Sequence, residues 1–136
     1  MPGTTVDYYG HPSASSLGSS AAYTGVVSGT TAAGTVVAGG TVVTAAPGNI
    51  NCNDQAGSFT VVSASSAAGL VASVYFAQPY PANPKSIQVT AFDTTGSLAI
   101  AVGIAPVAGG FNSGFAIYLG STTSTHTYTI YYHVQP

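Results

Sequence analysis

From residue 57 to residue 134 the chain is a succession of short runs rich in β-branched and aromatic residues. They are Gly57 to Ser63, Leu70 to Phe76, Ile87 to Phe92, Leu98 to Ile104, Gly114 to Leu119 and Thr125 to Val134. Apolar and polar residues alternate within them, and only a pleated strand puts successive side chains on opposite faces. Turn formers fill the gaps: Ala67-Ala68-Gly69, Pro79 to Pro84, Asp93-Thr94-Thr95-Gly96 and Ala108 to Asn112. Helix is expected to be nearly absent, on two grounds. The chain has a single Lys, no Arg and no Glu, and no apolar stripe of helical period runs clear of Gly and Pro. The fold class is therefore all-β, an antiparallel β-sandwich or jelly-roll-like domain. The alternation nominates a core of Phe59, Val61, Val74, Phe76, Ile87, Val89, Ile100, Val102, Phe115, Ile117, Tyr128 and Ile130.

Ahead of these runs, Gly34-Thr35-Val36-Val37-Ala38 is nearly repeated by Gly40-Thr41-Val42-Val43-Thr44. Thr-Val-Val on either side of Gly39-Gly40 predicts a two-residue hairpin at about 34–45, since Gly-Gly takes the positive φ of a primed turn. Residues 1–22 show no period and carry Pro2, Gly3, Gly10, Pro12 and Gly18, so they read as an extended N-terminal arm before a single domain at 23–136. Val6, Tyr8, Tyr9 and Leu17 within the arm, with Tyr23 at its junction, are apolar anchors without a local core and are the candidate partner-binding residues.

Charge narrows the function classes. Only 3% of the residues are charged, against roughly 25% in ordinary soluble domains. Lys85 alone supplies no basic footprint, which excludes nucleic-acid binding through phosphate neutralisation. With 46% apolar residues and a formal charge of −2, the chain also lacks the signature of a disordered one. So neutral a surface lacks the self-repulsion that keeps proteins apart, and self-association is expected. The longest apolar run, Leu98 to Gly110, holds Pro106 and three glycines and falls short of the roughly 20 residues of a membrane span. No basic n-region precedes an apolar stretch after Met1, so a cytoplasmically made protein is expected.

Chemistry finds few residues to work with. Asp54, in Asn51-Cys52-Asn53-Asp54-Gln55, and Asp93, in Phe92-Asp93-Thr94-Thr95-Gly96, both read as turn residues whose side chains bond the local backbone. No nucleophile elbow is present; Gly110-Phe111-Asn112-Ser113-Gly114 has its serine displaced by one. Walker and GxGxxG phosphate loops are absent, and no cofactor is predicted. His126 and His133 are seven apart on one predicted strand, an odd spacing that sends them to opposite faces and argues against a shared metal within one chain. Cys52 has no partner for a disulfide and reads as a small packed residue. A non-enzymatic protein is expected.

Residues 53–136 resemble a domain found in tailed-bacteriophage structural proteins, notably at the tips of head and tail fibres. The likeness rests on Asn53 to Val61, on Val74 to Tyr80 followed by Asn83-Pro84-Lys85, on Ile87 to Thr90, and on Tyr128 to Val134. It implies a β-sandwich, often trimeric, displayed on a virion. Fibre tips follow long shafts, whereas here only an arm and a small hairpin come first. The chain therefore looks more like a capsid decoration or cement protein, or a short head fibre, binding the major capsid protein on the virion exterior as a homotrimer. The alternative is a tail-fibre or tail-tip receptor-binding domain whose exposed aromatics, Tyr80, Phe111, Tyr131 or Tyr132, contact host surface glycan.

Overall fold

The computed structural model describes residues 22–27 and 32–136. The predicted arm, with Val6, Tyr8, Tyr9 and Leu17, lies outside the described residues. Among these residues ten strands form in chain order: β1 (Thr24–Val26), β2 (Thr35–Ala38), β3 (Gly48–Cys52), β4 (Ala56–Val62), β5 (Gly69–Tyr75), β6 (Ser86–Asp93), β7 (Leu98–Ile100), β8 (Val102–Pro106), β9 (Gly114–Leu119) and β10 (Thr127–Gln135). No helix occurs among the described residues, and so none is long and apolar enough to cross a membrane.

The strands build two five-stranded sheets, ordered β1-β2-β5-β9-β8 and β3-β4-β10-β6-β7. Every pairing is antiparallel except β1 with β2. The facing side chains of both sheets share one apolar core. Rings from the two sheets meet edge to face where Phe115 of β9 lies 5.3 Å from Tyr132 of β10. Eight of the nominated core residues are buried: Phe59, Val61, Val74, Phe76, Phe115, Ile117, Tyr128 and Ile130. Ile87, Val89, Ile100 and Val102 are half-buried against the same cluster, because they belong to strands at or next to the sheet edges.

Two sequence expectations change. The run Leu98 to Ile104 is not one strand. β7 pairs with β6, the chain passes Ala101, and β8 pairs with β9 in the other sheet. The Gly120 amide donates to the Ala101 carbonyl at 2.9 Å, so one segment stitches the two sheets together along one side.

The hairpin at 34–45 does not form either. β2 has β1 on one side and β5 on the other, leaving no free edge for a second strand. After Gly39 the chain makes a single tight turn, with the Val43 amide donating to the Gly39 carbonyl at 3.2 Å. That turn buries Val42 and Val43 together against the core. Gly39 is required here by close approach, since a Cβ would sit 2.6 Å from Leu70 Cγ and 2.9 Å from the Val71 carbonyl carbon.

Candidate functional site

Three groups of polar or exposed side chains could carry function, and each is placed by the strands just described. The first surrounds Asp54, in the turn between β3 and β4. Asp54 is completely buried. Its Oδ1 accepts hydrogen bonds from the Tyr23 hydroxyl and from the Ala77 amide (2.7 Å), and its Oδ2 accepts from the Gln78 amide (3.0 Å). The Tyr80 hydroxyl donates to the Asp54 carbonyl at 2.7 Å, and the Tyr132 hydroxyl to the Asn53 carbonyl at 2.5 Å.

One carboxylate thus joins the segment entering β1, the β3 to β4 turn and the loop after β5. Burial, then the hydrogen bond to Asp54, pushes the Tyr23 phenol far above its usual range. Burial, then the Asp54 charge, raises Tyr80 to about 12. Both phenols are held as neutral donors, and the Asp54 side chain ties the three segments together as a structural joint.

The reading of Asp54 as a local turn residue is therefore corrected. Its turn is made by the neighbouring Asn53, whose Oδ1 accepts the Gln55 and Ala56 amides at 2.8 and 3.0 Å. Tyr23 and Tyr80 change as well. Expected as partner-facing or exposed aromatics, they are 5% and 3% exposed because their hydroxyls reach inward to this joint.

The second group lies at the opposite hairpin, between β6 and β7. Asp93 Oδ1 accepts the Thr95 and Gly96 amides at 3.0 and 2.8 Å, the turn role expected of it. Its Oδ2 meets His126 Nδ1 at 2.7 Å. His126 comes just before β10 and His133 lies on that strand's outer face, so the two histidines do not converge. No cluster of three or more potential metal ligands exists among the described residues.

Burial opposes the Asp93 charge, but the His126 bond and the two turn amides outweigh it and hold the carboxyl below its usual 3.8. A lowered folded-state value means stability that is fully present above the unfolded value and lost as pH falls through the folded one. Asp93→Asn is accordingly expected to be less stable than the parent at about pH 5, with the gap closing below 3.8. Urea denaturation of both proteins across that range checks this, and a gap that widens on acidification refutes it.

The third group is the outer face of β3, β4, β10 and β6. Along β10 the even positions are buried, and Tyr131, 52% exposed, projects outward. Strand register aligns Asn51, Ser58, Tyr131 and Thr90 in one row across four strands. The next row holds Ala56, His133 and Gln88, and the one on the other side Thr60, Thr129 and Phe92. None of these positions carries Asp, Glu, Lys or Arg.

A depression of about 380 Å³ beside Tyr131 is lined by Asn51, Asn53 and Ser58. A second, of about 180 Å³, is lined by Gln88, Thr90 and His133. Of the aromatics expected at the surface, only Tyr131 is there. Phe111 is half-buried against the core and Tyr132, in contact with Phe115, is 4% exposed. Strand alternation alone separates Tyr131 from Tyr132, but no local pattern exposed Tyr80, whose partner is 26 residues away. No protein-family model, curated protein or solved structure matches this chain.

Proposed function

We propose that the chain is a non-enzymatic structural protein of a tailed-bacteriophage virion, a jelly-roll-like β-sandwich of the capsid decoration or short head-fibre type. In this reading it assembles as a homotrimer, binds the major capsid protein on the capsid exterior and stabilises the shell. The observation that carries it is the anchoring of β1. Residues 1–21 run straight into a segment fixed at three points: the Tyr23 hydroxyl on Asp54, the Tyr23 amide on the Cys52 carbonyl at 3.2 Å, and the pairing of Thr24–Val26 with β2.

An arm that pulls on a neighbour needs such a fixed root, because load applied at Tyr23 is then shared between both sheets. Scarcity of charge supports the same reading. Main-chain pairing by an added strand gives affinity without ion pairs, and suits a chain with one Lys and three acidic residues.

The test is deletion of residues 1–21, which leaves the Tyr23 root intact. Particles assembled with that variant are expected to carry at least about tenfold less of it than of the full chain, read by gel densitometry. Full occupancy overturns the arm-anchor mechanism. Attachment of the full chain should also change by less than about twofold between low and high salt, as expected of contacts that ionic screening does not reach. A steep loss counts against the reading.

A further inference from the structure

We propose that β8 is an acceptor edge, to which residues 6–9 of a second copy of this chain add as a further strand. The proposal rests on the homotrimer put forward above and deepens it by naming the contact between copies. β8 is the last strand of its sheet. The Gly120 amide donates to the Ala101 carbonyl, which makes these two a hydrogen-bonded pair, and such pairs alternate from there along the ladder with β9. Gly103 and Ala105 therefore bond β9, while the amides and carbonyls of Val102 and Ile104 face away from it. Pro106, which has no N–H, takes the next outward position and ends the run of donors.

The other sheet edges are guarded. β1 is closed against β3, where the Tyr23 amide donates to the Cys52 carbonyl and a Cβ on Gly25 would stand 2.5 Å from the Pro47 carbonyl oxygen. β3 is irregular between Gly48 and Asn51, and β7 has only three residues. β8 carries no charge from Val102 to Pro106 and leaves Ile104 37% exposed. Beside it a depression of about 180 Å³ is lined by Ile87, Ile104 and Phe111 together with Pro84, Lys85 and Ser86. That volume is below the roughly 300 Å³ at which small-molecule sites begin, and suits one large side chain. Outward main-chain groups with a side-chain pocket next to them are what an extended segment needs in order to dock.

Charge selects the occupant. Lys85, the one Lys of a chain without Arg, is exposed and makes no ion pair among the described residues. Of the three acidic side chains, Asp54 is engaged in the joint and Asp93 with His126, and Asp7 is the third. In Val6-Asp7-Tyr8-Tyr9, the period of a strand puts Asp7 and Tyr9 on one face. Laid along Val102 to Ala105, that face sets the Tyr9 ring over Ile87, Ile104 and Phe111 and the Asp7 carboxylate toward Lys85. Val6 and Tyr8 then share the outer face with the exposed Tyr118, across Gly103, where a Cβ would meet nothing within 4 Å.

Topology favours a second copy over the same one. The sheet begins with β1, next to the donor segment, and ends with the acceptor β8, so copies join head to tail and a rotation between them closes a ring. Reach is ample, since residues 10–22 span up to about 45 Å when extended, against about 19 Å for the four interstrand spacings of the sheet.

The experiment is sedimentation of the full chain over a concentration series, without capsids. The parent is expected to form a trimer. Asp7→Lys and Lys85→Asp should each weaken it by at least about tenfold, because the exposed pair is lost at every interface of the ring. The double variant, which restores opposite charges, should return to within about threefold of the parent. Tyr9→Ala should weaken the trimer by at least about a hundredfold. Tyr131→Ala, on the outer face of the other sheet, should leave it unchanged. Thermal melts establish that each variant is folded.

A parent that stays monomeric overturns the trimer together with this contact. A trimer that survives Tyr9→Ala, or a double variant no better than either single one, overturns the contact alone and leaves the capsid reading to its own occupancy test. If Tyr131→Ala dissociates the trimer instead, the copies meet through the outer face of β10 and β8 is not the acceptor.

Discussion

Asp54→Ala is expected to destabilise the protein by about 4 kcal/mol, because it removes the acceptor of three hydrogen bonds at once, one of them fully buried. The Tyr23 hydroxyl and the Ala77 and Gln78 amides all donate to this one completely buried side chain. Each buried donor left without a partner costs about 1 to 3 kcal/mol, less whatever the loops recover by relaxing. For a chain of this length the thermal midpoint should fall by more than about 10 °C.

Smaller changes grade the effect. Asp54→Asn keeps one acceptor oxygen but turns an amide group on a donor, and should cost about 2 kcal/mol. Tyr23→Phe removes a single donor and leaves both backbone amides paired, for about 1 kcal/mol. Denaturant titration of the three variants gives the order directly, and an Asp54→Ala protein melting within about 2 °C of the parent would refute the joint. The same series bears on attachment. Tyr23→Phe loosens the anchoring of β1 while the sheets stay formed, so a fall in particle occupancy without a large fall in stability would support the proposed attachment through residues 1–21.

How much of this was legible in the sequence depends on the range of the interactions involved. Alternation is a local property, and it located β4, β5, β6, β9 and β10 and the eight central core residues directly. The same rule erred where position in the sheet, rather than local pattern, decides. Thr41-Val42-Val43 has the makings of a strand, but β5 already occupies the edge of β2 that a hairpin would use. Leu98 to Ile104 alternates without a break, yet its two halves serve different sheets because the chain reaches a lateral edge at Ala101.

The candidate site divides in the same way. Tyr131 points outward by simple alternation from Tyr128 and Ile130, while the burial of Tyr23 and Tyr80 depends on Asp54, 31 and 26 residues distant. A polar loop such as Asn51 to Gln55 carries no mark telling which of its side chains turns inward. Asn53 and Asp54 are chemically near twins, and only the tertiary fold assigns the first to the turn and the second to the joint.

Gly114→Ala is expected to be as damaging as any single-methyl addition to this fold, and Gly103→Ala close to silent, although both glycines lie on neighbouring strands of the same sheet. At Gly114 φ is +154°, and a Cβ would lie 2.1 Å from the Val74 carbonyl oxygen. That oxygen belongs to the backbone of β5, which is paired with Gly114 through Tyr75, so no side-chain rotation relieves the clash. Moving β9 away would draw Phe115 out of its contacts with Phe76 and Tyr132, at centroid distances of 6.0 and 5.3 Å.

Either response costs at least about 3 kcal/mol, through strain or through a cavity where the ring had packed. At Gly103, opposite Tyr118 on β8, a Cβ would meet nothing within 4 Å. Its replacement should change stability by less than about 0.5 kcal/mol, with a small gain from the restricted unfolded chain. The paired measurement separates two explanations of a glycine-rich β protein. If both substitutions cost the same, glycine acts here only through backbone entropy, and the close approach of β9 to β5 does not hold the sheet's register; a difference of several-fold shows that this single contact does.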